Sequence, residues 1–365
     1  VGSTSRTCFT SHSPWRDRLT FPVGESVSDD MGQDCSSCGL RPTADAVTKA
    51  GAPAPGAPGE CGQTPVGADA GSLSNTYFDQ DLEELQSLPP GEQREMQERP
   101  LYRFRSGNTY TGQWLGNERH GLGVQRWFDG AVYRGSWQHN CAHGLGSFVH
   151  SDGDVYSGEW QKNVAHGLGN YVHHAKGQVT RYSGQWHQDL QHGFGVESWE
   201  EGSCFEGEFR GGQKNGVGVY RWADGSMYEG SWRRNAIHGP GHYLGHDQRE
   251  FRGLWRNSMI HGCGIYSWPD GRAYEGQYAN DRKTGYGIFS WPDCRRYEGF
   301  WQNGKQHGEG RYHHLDGSSI LALWEEGRRL ERLDEPPPAD TADLAEAAGR
   351  RPSVGRTRPS GEGTS

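Results

Sequence analysis

The apolar and polar positions of residues 101–330 follow a short alternation, not a helical stripe. Stretches of the form aromatic-x-Gly-x-aromatic begin at Tyr110, Tyr133, Tyr156, Tyr182, Phe205, Tyr228, Phe251, Tyr274 and Tyr297. The interval is 23 residues, except for 26 between Tyr156 and Tyr182. A weaker tenth start, Ile-Leu-Ala-Leu-Trp, falls at Ile320. A strand alternates its side chains with period two, so Tyr110, Gly112 and Trp114 share one face. Tyr133 with Trp137, Tyr156 with Trp160, Tyr182 with Trp186, Tyr228 with Trp232 and Tyr297 with Trp301 repeat that spacing. A His-Gly-x-Gly stretch follows, and there Gly121, Gly123 and Trp127 fall on one face. Each unit therefore predicts two short strands, with rings and glycines interleaved on one side. A glycine weakens a strand unless a ring from a neighbouring strand lies over it, which accounts for the pairing of residue types.

Turn residues punctuate the units. Asp-Gly pairs separate them at Asp129-Gly130, Asp152-Gly153, Asp224-Gly225, Asp270-Gly271 and Asp316-Gly317. Such pairs tolerate positive φ at both positions and predict two-residue hairpin turns. Within a unit the expected connection is longer, about five residues by the turn rules. The third residue after the second aromatic is Asn117, Asn140, Asn163, Asp189, Gly212, Asn235, Ser258, Asp281 or Gly304. The three extra residues before Tyr182 predict a bulged turn and a bend. The fold class expected is all-β, a single-layer antiparallel meander.

The combination of Tyr-x-Gly-x-Trp, His-Gly-x-Gly and Asp-Gly at this spacing resembles the MORN repeat (membrane occupation and recognition nexus) family over residues 101–330. Departures are local: Phe205 and Phe251 replace Tyr, Lys214-Asn215-Gly216 and Thr284-Gly285 lack the His, and Cys294 replaces a turn Gly. The resemblance implies an elongated β-sheet solenoid of stacked hairpins, presenting extended surfaces and no deep pocket. It also implies scaffolding by oligomers and association with membranes. Some relatives join the array to a lipid kinase, a methyltransferase or a membrane anchor. The residues after Leu330 are too few for a catalytic domain, so a non-enzyme is expected.

Composition fits this picture: 56 Gly, 14 Trp and 16 Tyr accompany an apolar content of only 32%. The net charge of −9 gathers in the first hundred residues, leaving the repeats close to neutral, which argues against wholesale nucleic-acid binding. The eight cysteines are scattered, which favours a reducing compartment. No metal or other cofactor is expected. The repeat histidines lie two strands apart, roughly 9–10 Å by strand spacing, too far to share one ion. They are expected to pack and hydrogen-bond at each hairpin. Cys35-x-x-Cys38 lacks the context of a redox or zinc motif.

One charge pattern stands out. The loops within units hold Arg119, Lys162, Arg210, Lys214, Arg233, Arg234, Arg256, Arg282, Lys283 and Lys305 against only Glu118, Asp189 and Asp281. This predicts a basic rim, with Arg119, Lys162, Lys214, Arg233, Arg234, Arg256, Lys283 and Lys305 as lipid-binding candidates. A cation near an anionic bilayer contributes about 1 kcal/mol.

Residues 1–30 read as an untranslated or leader segment, and 31–76 as an acylation motif followed by a disordered linker. Met31-Gly32 opens the myristoylation pattern M-G-x-x-x-S if translation starts there, placing myristate on Gly32 and palmitate on Cys35 and Cys38. Two acyl chains make an anchor stable where one does not. Residues 77–100 predict a short helical segment or cap, with Phe78, Leu82, Leu85 and Leu88 on one side; 331–365 predict a disordered tail. The function expected is a membrane-associated scaffold binding partner proteins or its own copies, as a homo-oligomer. Alternatives are an anionic-lipid (phosphoinositide) module acting through the rim, and a ciliary or cytoskeletal structural component. The expected location is intracellular, at the cytoplasmic face of a membrane or the cell cortex, with cytoskeleton or cilium as the alternative.

Overall fold

Each strand of the protein pairs with its neighbours in sequence. The computed structural model describes residues 77–89, 95–175 and 177–334. Among these, twenty-one strands form one antiparallel sheet, from Met96–Arg103 at one edge to Arg328–Arg332 at the other. The fold is all-β, as the alternation predicts, and each unit supplies two strands, such as Thr109–Leu115 and Glu118–Arg126. The weak tenth start forms Ser319–Glu325 and buries Trp324.

One repeated contact explains the spacing of Tyr and Gly. In the first unit Gly112 pairs with Gly123, and a Cβ on Gly112 would lie 2.4 Å from the Gly123 Cα. The Tyr110 ring covers both, its hydroxyl donating to the Gln113 carbonyl at 2.9 Å. The register then shifts, and Trp114 pairs with Arg119. His120 and Gly121 lie in the bulge this creates, and Gly121 takes φ +72° there, a conformation that favours glycine. Tyr133, Trp137, Tyr156, Trp160, Tyr182, Trp186, Tyr228, Trp232, Tyr297 and Trp301 are buried in the same way. Each Tyr–Trp pair within a unit meets edge to face, a favoured geometry for aromatic quadrupoles.

The two turn edges are the reverse of the sequence expectation. The tight two-residue turns lie within units: His139 and Asn140 have φ +48° and +65°, and Lys162-Asn163, Gln188-Asp189, Arg234-Asn235, Asn257-Ser258 and Asn280-Asp281 follow suit. The Asp-Gly edge carries three-residue loops. There the Gly130 amide donates to the Trp127 carbonyl and the Trp127 amide to the Ala131 carbonyl. Only the glycine is left-handed, while the Asp129 carboxylate accepts from the Ala131 amide. Counting residues after Trp overlooks that the second strand begins at once and takes up its extra residues in the His-Gly bulge.

The 26-residue interval is also resolved differently. Among the described residues no register shift interrupts the pairing; the two strands, Val164–Ala175 and Gln178–His187, simply run longer and stay paired. Asp154 anchors the extension, accepting from the Tyr171 hydroxyl, from His173 Nδ1 at 2.6 Å and from the His174 amide at 2.8 Å. Burial pushes the Asp154 carboxyl up, but these hydrogen bonds outweigh it and hold the group below the usual carboxylate range.

Candidate functional site

Three of the eight predicted rim cations do not reach the rim. Arg119, Lys214 and Lys283 occupy equivalent positions, five residues after the second aromatic of units one, five and eight. Already inside the second strand, that position faces the rings. Ala142, Ala165, Gln191, Ile237, Ile260 and Gln306 fill it elsewhere, all buried. Lys162, Arg233, Arg234, Arg256 and Lys305 are exposed on the turn edge, where Lys305 pairs with Glu326. The basic rim is thus thinner than the loop count implies.

Each inward cation has its own surroundings. The Arg119 guanidinium lies 4.4 Å from the Trp137 ring centre and donates to the carbonyls of Phe78 (3.2 Å) and Asn140 (3.0 Å) and to Gln125 Oε1 (3.2 Å). Burial pushes its pKa down to about 10, with Asp81 opposing, so it stays charged at neutral pH. Lys214 Nζ is 2.6 Å from Glu197 Oε2, both side chains buried, and 4.8 Å from the Trp199 ring centre. Lys283 Nζ sits among Trp268, Tyr274, Phe289 and Trp301, 4.6–5.2 Å from their ring centres. Burial pushes the Lys283 ammonium down to about 8, and Arg272 adds to the shift.

The ring face of units one to three is covered by residues 77–88. Phe78 is fully buried against Trp127, Tyr133, Trp137, Phe148 and Trp160. The Tyr77 carbonyl accepts from Trp127 Nε1 at 2.8 Å, and Asp81 accepts from Ser106, Asn108 and Gln125. The short helix Leu82–Ser87 follows, with Leu85 buried and Glu84 accepting from the Tyr102 hydroxyl and the Arg105 amide. This stretch lies on the face of the sheet, and Met96–Arg103 forms its first edge strand.

The family model described as the MORN repeat matches residues 110–132, 133–155, 156–173, 182–204, 205–227, 228–248, 251–271, 274–293 and 297–319, just over half of the chain. The chain belongs to the MORN repeat family. A comparison with curated protein sequences finds no match. Among solved structures the array is similar to the TCP domain of Drosophila melanogaster SAS-4 in complex with a proline-rich motif of Ana2. That likeness has 13% identity and a TM-score of 0.28, over 53% of this chain and 99% of that one. It is also similar to a mutant TCP10 domain of Danio rerio CPAP, with 8% identity and a TM-score of 0.23, over 65% of this chain and 100% of that one. Neither likeness bears on function.

The outer face of the MORN array carries a row of apolar side chains. Leu122, Leu145, Leu168, Phe194 and Val217 hold the same place in successive repeats, each opposite the ring face and 46–68% exposed. The repeat histidines lie beside this row in the bulges. Contrary to the expected hydrogen bonding at every hairpin, the buried Nδ1 atoms of His166, His238, His261 and His307 have no hydrogen-bond partner among the described residues. Among those residues no group of three His, Cys, Asp or Glu could hold a metal ion, and no helix is long and apolar enough to cross a membrane. Gly32, Cys35 and Cys38 lie outside the described residues, as do the leader, the linker and most of the tail.

Proposed function

We propose that this MORN protein is a non-catalytic, membrane-associated scaffold that binds partner proteins or copies of itself. The outer apolar row carries this reading. Exposed apolar side chains are ordinary when scattered, but here five recur in register along one face, a pattern that fits an interaction surface. Acylation at Gly32, Cys35 and Cys38 would hold the scaffold at the cytoplasmic face of a membrane or at the cortex. Sedimentation of the full chain and of a variant with Leu122, Leu145 and Leu168 changed to Glu tests self-association. An oligomer that becomes a folded monomer in the variant supports it; a monomeric wild-type chain restricts the row to partner proteins. Membrane pelleting should be lost in Gly32→Ala, and unchanged pelleting would sink the tether.

The exposed turn-edge cations favour a second reading, an anionic-lipid module. Binding of the Gly32→Ala chain to phosphoinositide vesicles, falling with salt and with Arg233→Ala/Arg234→Ala, would support it. Absence of binding would remove it.

A further inference from the structure

The first, fifth and eighth MORN repeats each present an inward cation and the tryptophan eight residues on; among the described residues the first pair finds acceptors at both donors, and in the fifth Lys214 has the Glu197 carboxylate. In the first repeat these are Arg119 Nη2 and Trp127 Nε1, which donate to the consecutive carbonyls of Phe78 and Tyr77. In the eighth the equivalent residues are Lys283 and Trp291. Neither Lys283 Nζ nor Trp291 Nε1 has a hydrogen-bond acceptor among the described residues, and Trp291 is only half-buried where Trp127 is covered.

The chain provides an acceptor at both other inward cations. Arg119 meets Gln125 and the Phe78 carbonyl; Lys214 meets the Glu197 carboxylate. Gln125 and Glu197 stand at a position that is otherwise aromatic: Phe148, Tyr171, Tyr220, Tyr243, Tyr266, Phe289 and Tyr312. Around Lys283 both candidates for the polar partner, Tyr266 and Phe289, are aromatic. The result is a partly exposed cation ringed by four aromatic side chains, with no anion beside it among the described residues. Ring faces attract a cation, but they do not replace the hydrogen bonds its three donors lose on leaving water.

We propose that Lys283 and Trp291 form a docking site for an acidic, aromatic-bearing peptide segment of a partner protein, laid over the eighth repeat as residues 77–81 are laid over the first. A carboxylate or backbone carbonyl of that segment accepts from Lys283, and its aromatic side chain covers Trp291. The chain's own covering segment has this chemistry, with Tyr77 and Phe78 followed by Asp79 and Asp81. The site is on the opposite face from Leu122, Leu145 and Leu168, so it stands or falls independently of the outer row. An anion at Lys283 would raise its depressed pKa, and binding above pH 8 would take up a proton.

The test uses the full chain and a fluorescein-labelled peptide copying residues 77–88 as probe, read by anisotropy. Saturable binding is expected, weakened at least tenfold by Lys283→Met and unchanged by Lys162→Ala. A probe with Asp79, Asp81, Glu83 and Glu84 replaced by their amides should lose binding to the wild-type chain, an arm that does not depend on how any variant folds. No saturable binding, or equal binding to wild type and to a Lys283→Met chain with an intact melting transition, overturns the proposal.

Discussion

The Tyr133 ring lies against Gly146, where a Cβ would come within 2.3 Å of the tyrosine hydroxyl oxygen. The same hydroxyl donates to the Ser136 carbonyl at 2.9 Å. Ring and glycine are therefore a single packing unit. Gly146→Ala must push the ring off the sheet and should cost about 3 kcal/mol or more, at the upper end for overpacking. Tyr133→Phe keeps the ring and loses one hydrogen bond, about 1 kcal/mol; Phe205 and Phe251 already show the Phe form in place. Urea unfolding of the two variants should rank them in that order, and equal losses would contradict the packing argument.

Cys294 adopts φ +70° at the loop position that Gly130, Gly153 and Gly225 hold in other repeats. A left-handed conformation costs a residue with a Cβ about 1–2 kcal/mol. Cys294→Gly should therefore raise the melting temperature, even though glycine normally destabilises through the unfolded chain. A lowered melting temperature would show the thiol making a compensating contact.

The Lys214–Glu197 pair predicts strong non-additivity. Glu197→Gln leaves a buried ammonium without its anion and should cost about 3–5 kcal/mol. The double change Lys214→Ile/Glu197→Tyr installs the residues found at Ile260 and Tyr243 in the sixth and seventh repeats, and should recover most of that loss. Chemical denaturation of the double variant and of its two constituent singles, Lys214→Ile and Glu197→Tyr, completes the cycle; additive losses would mean the pair is not coupled.

Lys283 gives a pH signature. Its folded pKa of about 8 lies below the ordinary lysine value, so between about pH 8 and 10.5 the unfolded chain binds more protons. Stability from this group therefore rises with pH across that window, and its penalty is fully present below pH 8. Lys283→Met removes the penalty. The variant should be at least as stable as wild type at pH 7, and the gap should close toward pH 10. Parallel stability curves for the two chains would refute the assignment.

Most of the fold was legible because ring-and-glycine alternation has only one economical packing. Tyr110, Gly112, Trp114 and Gly123 fall on the strands and face that period two assigns them, whereas Gly121, expected beside Gly123, is turned by the bulge toward the Gln113 side chain on the opposite face. Errors arose where backbone geometry overrides counting. The bulge at His120 and Gly121 consumes residues that otherwise look like a long loop, which exchanged the two turn edges. For the same reason Arg119, Lys214 and Lys283 look like loop residues in the sequence but lie on the second strand, facing the rings. Counting back in twos from Trp127 through Gln125 and Gly123 turns Arg119 toward the rings, even though the bulge itself turns Gly121 away. The break in the aromatic series at Gln125 and Glu197 was the second available signal. The cover by residues 77–88 depends on long-range packing of Phe78, which local periodicity does not encode.

The turn edge has a mechanical consequence. At each junction the turn amide of one repeat donates to a carbonyl of the repeat before, as Asn140 does to Arg119. Asn140, Asn163, Asp189, Asn235, Ser258 and Asp281 also accept, through their side chains, from the amide of that same earlier residue. Gly212, Gly304 and Gly327 have no side chain to do so and keep only the backbone bond at the turn itself, with the Lys305–Glu326 pair on the surface beside the last. The turn edge thus acts as a stitched spine with three weaker stitches. Load applied across the sheet should crease it first at those glycines, dividing a regular array into stiffer panels of unequal length.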